Sequence, residues 1–213
     1  AKRGYLGAAL GGIMGGELMG LTDALSAGTL FVPGGRLSAI ATDPNGSFGD
    51  VLSILIPKDY TDGDFYRLFA MIQAVLDDGD PSAHAPHILQ TRPDFAPNTP
   101  DLLMGVVLGD TVVPNSTSWS LARALEIPIY ATELEPVVGL TFDPTLPLSG
   151  NVNGRTAGLV QFDVTAPGEA AQHGPTVNKD VGIAAWRPFF ETHFGDGLAV
   201  LTDPYATVGL AHE

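Results

Sequence analysis

The sequence predicts an α/β protein: a mostly parallel sheet with helices on both faces. Three observations carry that expectation. Short apolar runs at 29–32, 102–108 and 159–164 each stop at turn-forming residues, as buried strands do. Segments at 10–21, 116–125 and 179–193 repeat their apolar residues with helical spacing. The two kinds of segment alternate, and parallel strands need helix-length crossovers between them. The 26 Gly and 17 Pro fall between recurrent apolar runs, which argues for many turns rather than for disorder.

Composition narrows the function classes. The chain has 213 residues and a formal charge of −14, so nucleic acid and anionic membranes are poor partners. It has no Cys, which removes disulfides and thiolate chemistry. It has no run of 18 apolar residues, so no transmembrane segment is expected. The sequence opens on Ala1, which reads as the sign of a segment removed upstream or carried on another chain.

The elements follow in order. Residues 3–6 read as a strand entering the stretch GYLGAALGGIMGG, and residues 10–21 as a helix. Leu10, Ile13, Met14, Leu18 and Leu21 share one helix face, and Glu17 falls on it too, which is odd for a simple core helix. The strand at 29–32 stops at Pro33-Gly34-Gly35. A long insertion then carries one amphipathic helix built on Phe65, Leu68, Phe69, Ile72, Val75 and Leu76, with Gly79 as its stop. This insertion either packs its own apolar face or covers a pocket as a lid. The strand at 102–108 ends in Gly109-Asp110, and Asn115 or Ser116 is the expected N-cap of the next helix. The last helix is expected to break near Pro188, with Gly195 after it. The chain thus divides into 1–36, an inserted segment 37–100, and 101–213.

The glycine stretch admits three readings. A dinucleotide-binding turn needs an acidic residue at the end of the next strand, and Val32-Pro33-Gly34 supplies none. A helix packing surface with GxxxG spacing fits Gly7, Gly11 and Gly15, and also Gly12 and Gly16. A nucleophile elbow, G-x-S-x-G, fits Gly7-Ala8-Ala9-Leu10-Gly11 at every position but the serine.

Downstream residues bear on the third reading. Gly109-Asp110-Thr-Val-Val-Pro114 follows one strand, and His173-Gly174-Pro175 lies in the loop after another. In GAALGG, GDTVVP and that His loop, the chain resembles the C-terminal half of an α/β-hydrolase of the bacterial lipase and esterase type, with an inserted lid or cap. The resemblance implies a Ser-Asp-His triad with Ala9 at the nucleophile position, Asp110 as the acid and His173 as the general base. It implies the backbone N–H of Leu10 as an oxyanion-hole donor. It also implies an ester substrate, no cofactor, a secreted or periplasmic setting, and a second polypeptide carrying the N-terminal half of the sheet.

Other residues compete for attention. His193 ends a helix, where a cation suits the dipole. His84 and His87 form an HxxH pair in a Pro-rich loop, and His212 lies in the terminal tail. Ser116, Ser118 and Ser120 read as capping or solvent-facing groups. Asp43, Asn45, Ser47 and Asp50 alternate oxygen ligands as calcium loops do, but without the Glu at position twelve an Asx-rich turn fits as well. Two function classes stand: an ester hydrolase whose serine has been replaced, and a naturally inactive homologue that binds a ligand or partner.

Overall fold

The computed structural model describes residues 2–212, without the side chains of Asp50 and Ser53. Its first half holds β1 (Gly4–Ala8), α1 (Leu10–Leu21), β2 (Ala27–Phe31), α2 (Leu37–Thr42), α3 (Gly49–Leu55), α4 (Asp62–Leu76), and the single turns α5 (Pro81–His84) and α6 (Pro86–Leu89). The second half holds β3 (Asp101–Val107), α7 (Asn115–Leu125), β4 (Ile129–Tyr130), β5 (Phe142–Asp143), β6 (Ala157–Phe162), β7 (Val164–Ala166), β8 (Glu169–Ala170), α8 (Asp180–Asp196) and α9 (Pro204–Val208). Six strands form one sheet in the order β1-β2-β3-β6-β4-β5, every pairing parallel. β7 and β8 form a separate antiparallel ribbon.

The sheet is covered on both faces, as a parallel sheet requires. β3 shows this residue by residue. Leu102, Met104 and Val106 join a cluster with Met19, Ile88, Leu121 and Leu125 from α1, α6 and α7. Leu103 and Val107 point the other way, into a cluster with Val181, Ala185 and Phe189 of α8 and Tyr205 of α9. A strand buried on both faces reads as a continuous apolar run, and every residue of β3 is buried.

Helix α1 packs through its glycines rather than through its apolar stripe. Leu10, Met14, Leu18 and Leu21 are 67, 55, 45 and 40 % exposed, so the face that the spacing marks as apolar looks outward. The buried residues are Gly12, Ile13, Gly15, Gly16, Met19 and Gly20. A Cβ on Gly12 would stand 2.8 Å from the Phe31 carbonyl oxygen, and one on Gly7 would stand 2.3 Å from the Gly11 carbonyl oxygen. Backbone cannot yield at either contact, so the close strand–helix approach needs both glycines. The position of Glu17 follows: it lies on the outer face.

Two helix ends differ from expectation. Pro114 is the N-cap of α7 and no side chain caps it. Asn115 is otherwise engaged: its Oδ1 accepts from Gly109 N at 2.8 Å and its Nδ2 donates to Val107 O at 2.8 Å. Helix α8 runs unbroken through Pro188 to Asp196 and stops at Gly197 in the left-handed conformation, φ 88°. Proline removes one i→i−4 bond there, and burial of Val181, Ala184, Ala185 and Phe189 offsets the loss.

The insertion is not uniform. α5 and α6 belong to the core, where Ala85, Ile88 and Leu89 are almost fully buried. α2 and α4 contain no buried residue. α4 is held by its Thr61–Asp64 capping box and by Gln73, which accepts from Ser38 and donates to Asp80 at 2.8 Å. With so little buried area, α4 opens locally at low free energy. Its amides are expected to exchange with deuterium at least a hundredfold faster than those of β3. Equal, slow exchange in both elements would contradict this.

Candidate active site

The site lies along the carboxyl ends of the parallel strands. The turn at Ala9 is the sharpest feature. β1 ends at Ala8 and α1 begins at Leu10, leaving one residue to reverse the chain. Ala9 does so at φ 53°, ψ −122°, a region that residues with a Cβ rarely occupy. The surroundings hold it there: Ala9 N donates to Phe31 O at 3.0 Å, and Ile13 N donates to Ala9 O at 3.0 Å. Leu10 is the first helical residue, so its N–H has no carbonyl in its own helix to meet. Strain of this kind stores about 1–3 kcal/mol. Ala9→Gly is therefore expected to raise stability by about 1 kcal/mol, seen as a higher urea midpoint at unchanged slope. A lower midpoint would mean that the backbone is not strained at this position.

Asp110 follows β3 and is buried. Its Oδ1 accepts from Val112 N at 2.9 Å and Val113 N at 3.1 Å, which fixes the carboxylate on its own turn. Its Oδ2 lies 2.6 Å from His173 Nδ1. A carboxylate only accepts, so Nδ1 donates, and in the neutral ring Nε2 offers its lone pair. That Nε2 is buried and has no hydrogen-bond partner among the described residues. His173 reaches this position from the loop that follows the β7–β8 ribbon, and a short helical turn, Pro175–Asn178, secures the loop's far side. Thr176 Oγ1 donates to Gln172 O at 2.7 Å and accepts from Gln172 N at 2.9 Å.

Clefts flank the pair. One of about 450 Å³ is lined by Gly109, Asp110, Thr111 and His173. Another of about 480 Å³ runs past Asp110 to Asp43, Trp119 and Glu135. Ala9 packs against the same apolar cluster, around Phe31, Val32 and Val177, as Ala171, two residues before His173.

The remaining candidate residues fall elsewhere. Asp43 Oδ1 accepts from Asn45 N at 2.8 Å and its Oδ2 from the Ser116 hydroxyl, while Ser47 donates its N–H to Thr111 O. These bonds make an Asx turn pinned to the loop after β3. The side chain of Asp50 lies outside the described residues. No group of three or more His, Cys, Asp or Glu residues placed to hold a metal ion occurs among the described residues. His84 and His87 each meet a backbone carbonyl at 2.9 Å, of Asp78 and Thr91. His212 packs on Tyr205 and lies 3.1 Å from Asp163. Ser118, read from sequence as capping or solvent-facing, is buried and donates to Pro33 O at 2.7 Å. His193 lies in the last turn of α8, as its place in the sequence suggests, but it is buried, with Asp101 and Ser26 as its partners. Spacing in the sequence gave no hint of that trio, whose members stand 75 and 92 positions apart along the chain.

No family model matches this chain, and no curated protein matches it. Among solved structures it is similar to Pyrococcus horikoshii acylaminoacyl peptidase, uncomplexed and in an orthorhombic crystal form. Both comparisons give 15 % identity and a TM-score of 0.43, over 82 % of this chain and 20 % of that one. An acylaminoacyl peptidase in complex with Z-Gly-Gly-Phe-chloromethyl ketone gives 15 % identity and a TM-score of 0.42 over the same shares. The chain spans about a fifth of the length of the proteins it matches. No helix among the described residues is long and apolar enough to cross a membrane.

Proposed function

We propose that this chain carries part of a serine ester hydrolase centre of the α/β-hydrolase kind, with Ala9 where the nucleophile belongs. The observation that carries the reading is the Asp110–His173 pair. A buried carboxylate orients an imidazole through Nδ1 and leaves Nε2 free to take a proton. The strained one-residue junction at Ala9 supports it, because such a junction presents a side chain at the head of a helix. In the complete reaction a serine hydroxyl at position 9 gives its proton to His173 Nε2 as its oxygen attacks an ester carbonyl. The Leu10 N–H, at the positive end of α1, meets the developing oxyanion. The imidazolium then protonates the departing alkoxide, and water repeats the cycle on the acyl-enzyme. With Ala9 no acyl-enzyme forms at this position. The test is hydrolysis of short and medium p-nitrophenyl esters by Ala9→Ser; no gain over the parent chain with any of them overturns the reading.

In this proposal α4 is a lid. A small cleft lined by Thr42, Asp43, Leu52, Ile56 and Phe65 lies beneath it, and Asp43 also lines the cleft at Asp110. The acyl chain would enter between the two.

A second reading, a binding protein without catalysis, draws on Ala9 itself and on the outer surface of α1. β1 pairs only with β2 among the described strands, and the exposed Leu6, Leu10, Met14, Leu18 and Leu21 adjoin its open edge. Both readings call for a polypeptide carrying further strands to cover this edge. The chain purified alone is expected to self-associate or to bind a hydrophobic dye. A soluble monomer that unfolds cooperatively and binds no dye would contradict the need for that partner.

A further inference from the structure

The opposite end of the sheet holds a second arrangement of serine, histidine and carboxylate. Ser26 sits just before β2, Asp101 opens β3, and His193 lies in the last turn of α8. His193 Nδ1 stands 2.7 Å from Asp101 Oδ2, and its Nε2 stands 2.9 Å from Ser26 Oγ. Asp101 is fully buried and His193 nearly so, whereas Ser26 is only half-buried. Asp101 is also held by Thr156 N, Ala199 N and Arg155 Nη2, each at 2.9 Å, so the carboxylate cannot turn away from the imidazole. Nδ1 donates to that carboxylate, and in the neutral ring Nε2 is then an acceptor; the Ser26 hydroxyl, which also lies 3.2 Å from Arg3 O, reaches Nε2 by turning its proton to the nearer partner. A base oriented by a buried acid and aimed at a hydroxyl is the geometry that activates a serine.

A cleft of about 470 Å³ opens beside it. Ser26 and His193 form part of its wall, together with Lys2, Asp23, Asn98 and Arg155. Both oxygens of Asp23 accept from Asn98, which carries no charge of its own. Lys2 and Arg155 are the cations of this wall. Arg155 gives Nη2 to Asp101 while its side chain stays 25 % exposed, and Lys2 Nζ donates to His193 O at 3.4 Å.

We propose that Ser26 is an activated nucleophile, with His193 as its base and Asp101 as the residue that positions His193, acting on small esters. Ser26 Oγ bonds to the acyl carbon while its proton passes to His193 Nε2. The carbonyl π electrons move onto oxygen, in the cleft that Lys2 and Arg155 line. The ester C–O bond then breaks, and His193 returns the proton to the leaving alkoxide. Water, deprotonated by His193 in turn, releases the carboxylic acid and restores the serine. This site lies about 20 Å from Asp110 and His173, one strand length away, and does not depend on position 9.

A hydroxyl that merely closes a structural lock would not be reactive, and this decides the matter by experiment. The parent chain is treated with a fluorophosphonate and digested with trypsin. The peptide running from residue 4 to residue 36 contains one serine, Ser26. The expected result is a phosphonyl adduct on Ser26, with loss of fluoride, absent from Ser26→Ala and from urea-unfolded chain. Absence of the adduct from folded parent chain would overturn the proposal. Because His193 is buried and its replacement could unfold the protein, Ser26→Cys supplies a second measurement. The parent has no cysteine, so this variant has a single thiol. At neutral pH that thiol is expected to react with iodoacetamide about tenfold faster than free cysteine. A thiol no faster than free cysteine overturns the activation.

Discussion

In a Ser26→Ala background, Ala9→Ser is expected to raise ester hydrolysis by on the order of 10⁴- to 10⁶-fold, the range that separates a complete triad from one lacking its nucleophile. The substitution adds one oxygen to a residue whose backbone is already in place. Ala9 holds φ 53° and ψ −122° through its bonds to Phe31 and Ile13, and neither bond involves the side chain. The added hydroxyl therefore meets a turn that needs no rearrangement. The base needs none either, because Asp110 fixes Nδ1 of His173 at 2.6 Å and Nε2 has no competing partner. The gain should appear as a burst of p-nitrophenol followed by turnover, the mark of an acyl-enzyme. It should be larger when a polypeptide covering the free edge of β1 is present, since that edge adjoins the head of α1. A rate unchanged from the parent chain, with and without such a partner, would remove Ala9 from the site.

Asp101→Ala is expected to lower stability by about 3–5 kcal/mol, the usual result of leaving buried charged partners unmatched. The carboxylate serves four donors at once: His193 Nδ1, Arg155 Nη2, Thr156 N and Ala199 N. These come from α8, from the segment entering β6, and from the loop between α8 and α9, so one side chain ties the amino end of the sheet to the helix above it. Removing it leaves an imidazole, a guanidinium and two backbone N–H groups without an acceptor in a place that water does not reach freely. Asp101→Asn keeps the volume but loses the charge facing Arg155 and His193, and should fall between parent and Asp101→Ala. The readout is the urea midpoint, on the chain or on its complex with a covering partner. A change of less than about 1 kcal/mol for Asp101→Ala would show that water or a neighbour satisfies those donors.

Much of the sheet could be read from the sequence because its strands are buried on both faces. The run around Leu102 to Val107 is apolar without interruption, and only a central parallel strand makes that economical. β4 and β5 pair through only two residues each, too short to leave a pattern. Helix α1 was legible as a helix but not in its orientation. Apolar spacing marks the Leu10–Leu21 stripe, yet close packing onto β2 requires the absence of side chains, and so the glycine face turns inward. The same limit applies to chemistry. Asp110 and His173 each follow a strand, so topology alone brings them to one end of the sheet. Ser26, Asp101 and His193 meet because a helix terminus lands on two strand beginnings, and no local spacing in the chain encodes that meeting.

The account's central claim is that His173, set by Asp110, is the base for a nucleophile at position 9. The most direct measurement is the ratio of ester-hydrolysis rates between Ala9→Ser and Ala9→Ser combined with His173→Ala, both in a Ser26→Ala background and with far-ultraviolet circular dichroism matched between the two. The account predicts a ratio on the order of 10³ or more, and an intermediate loss when Asp110→Asn replaces His173→Ala. A ratio near one, with both proteins folded, would contradict it and assign any activity at position 9 to another base.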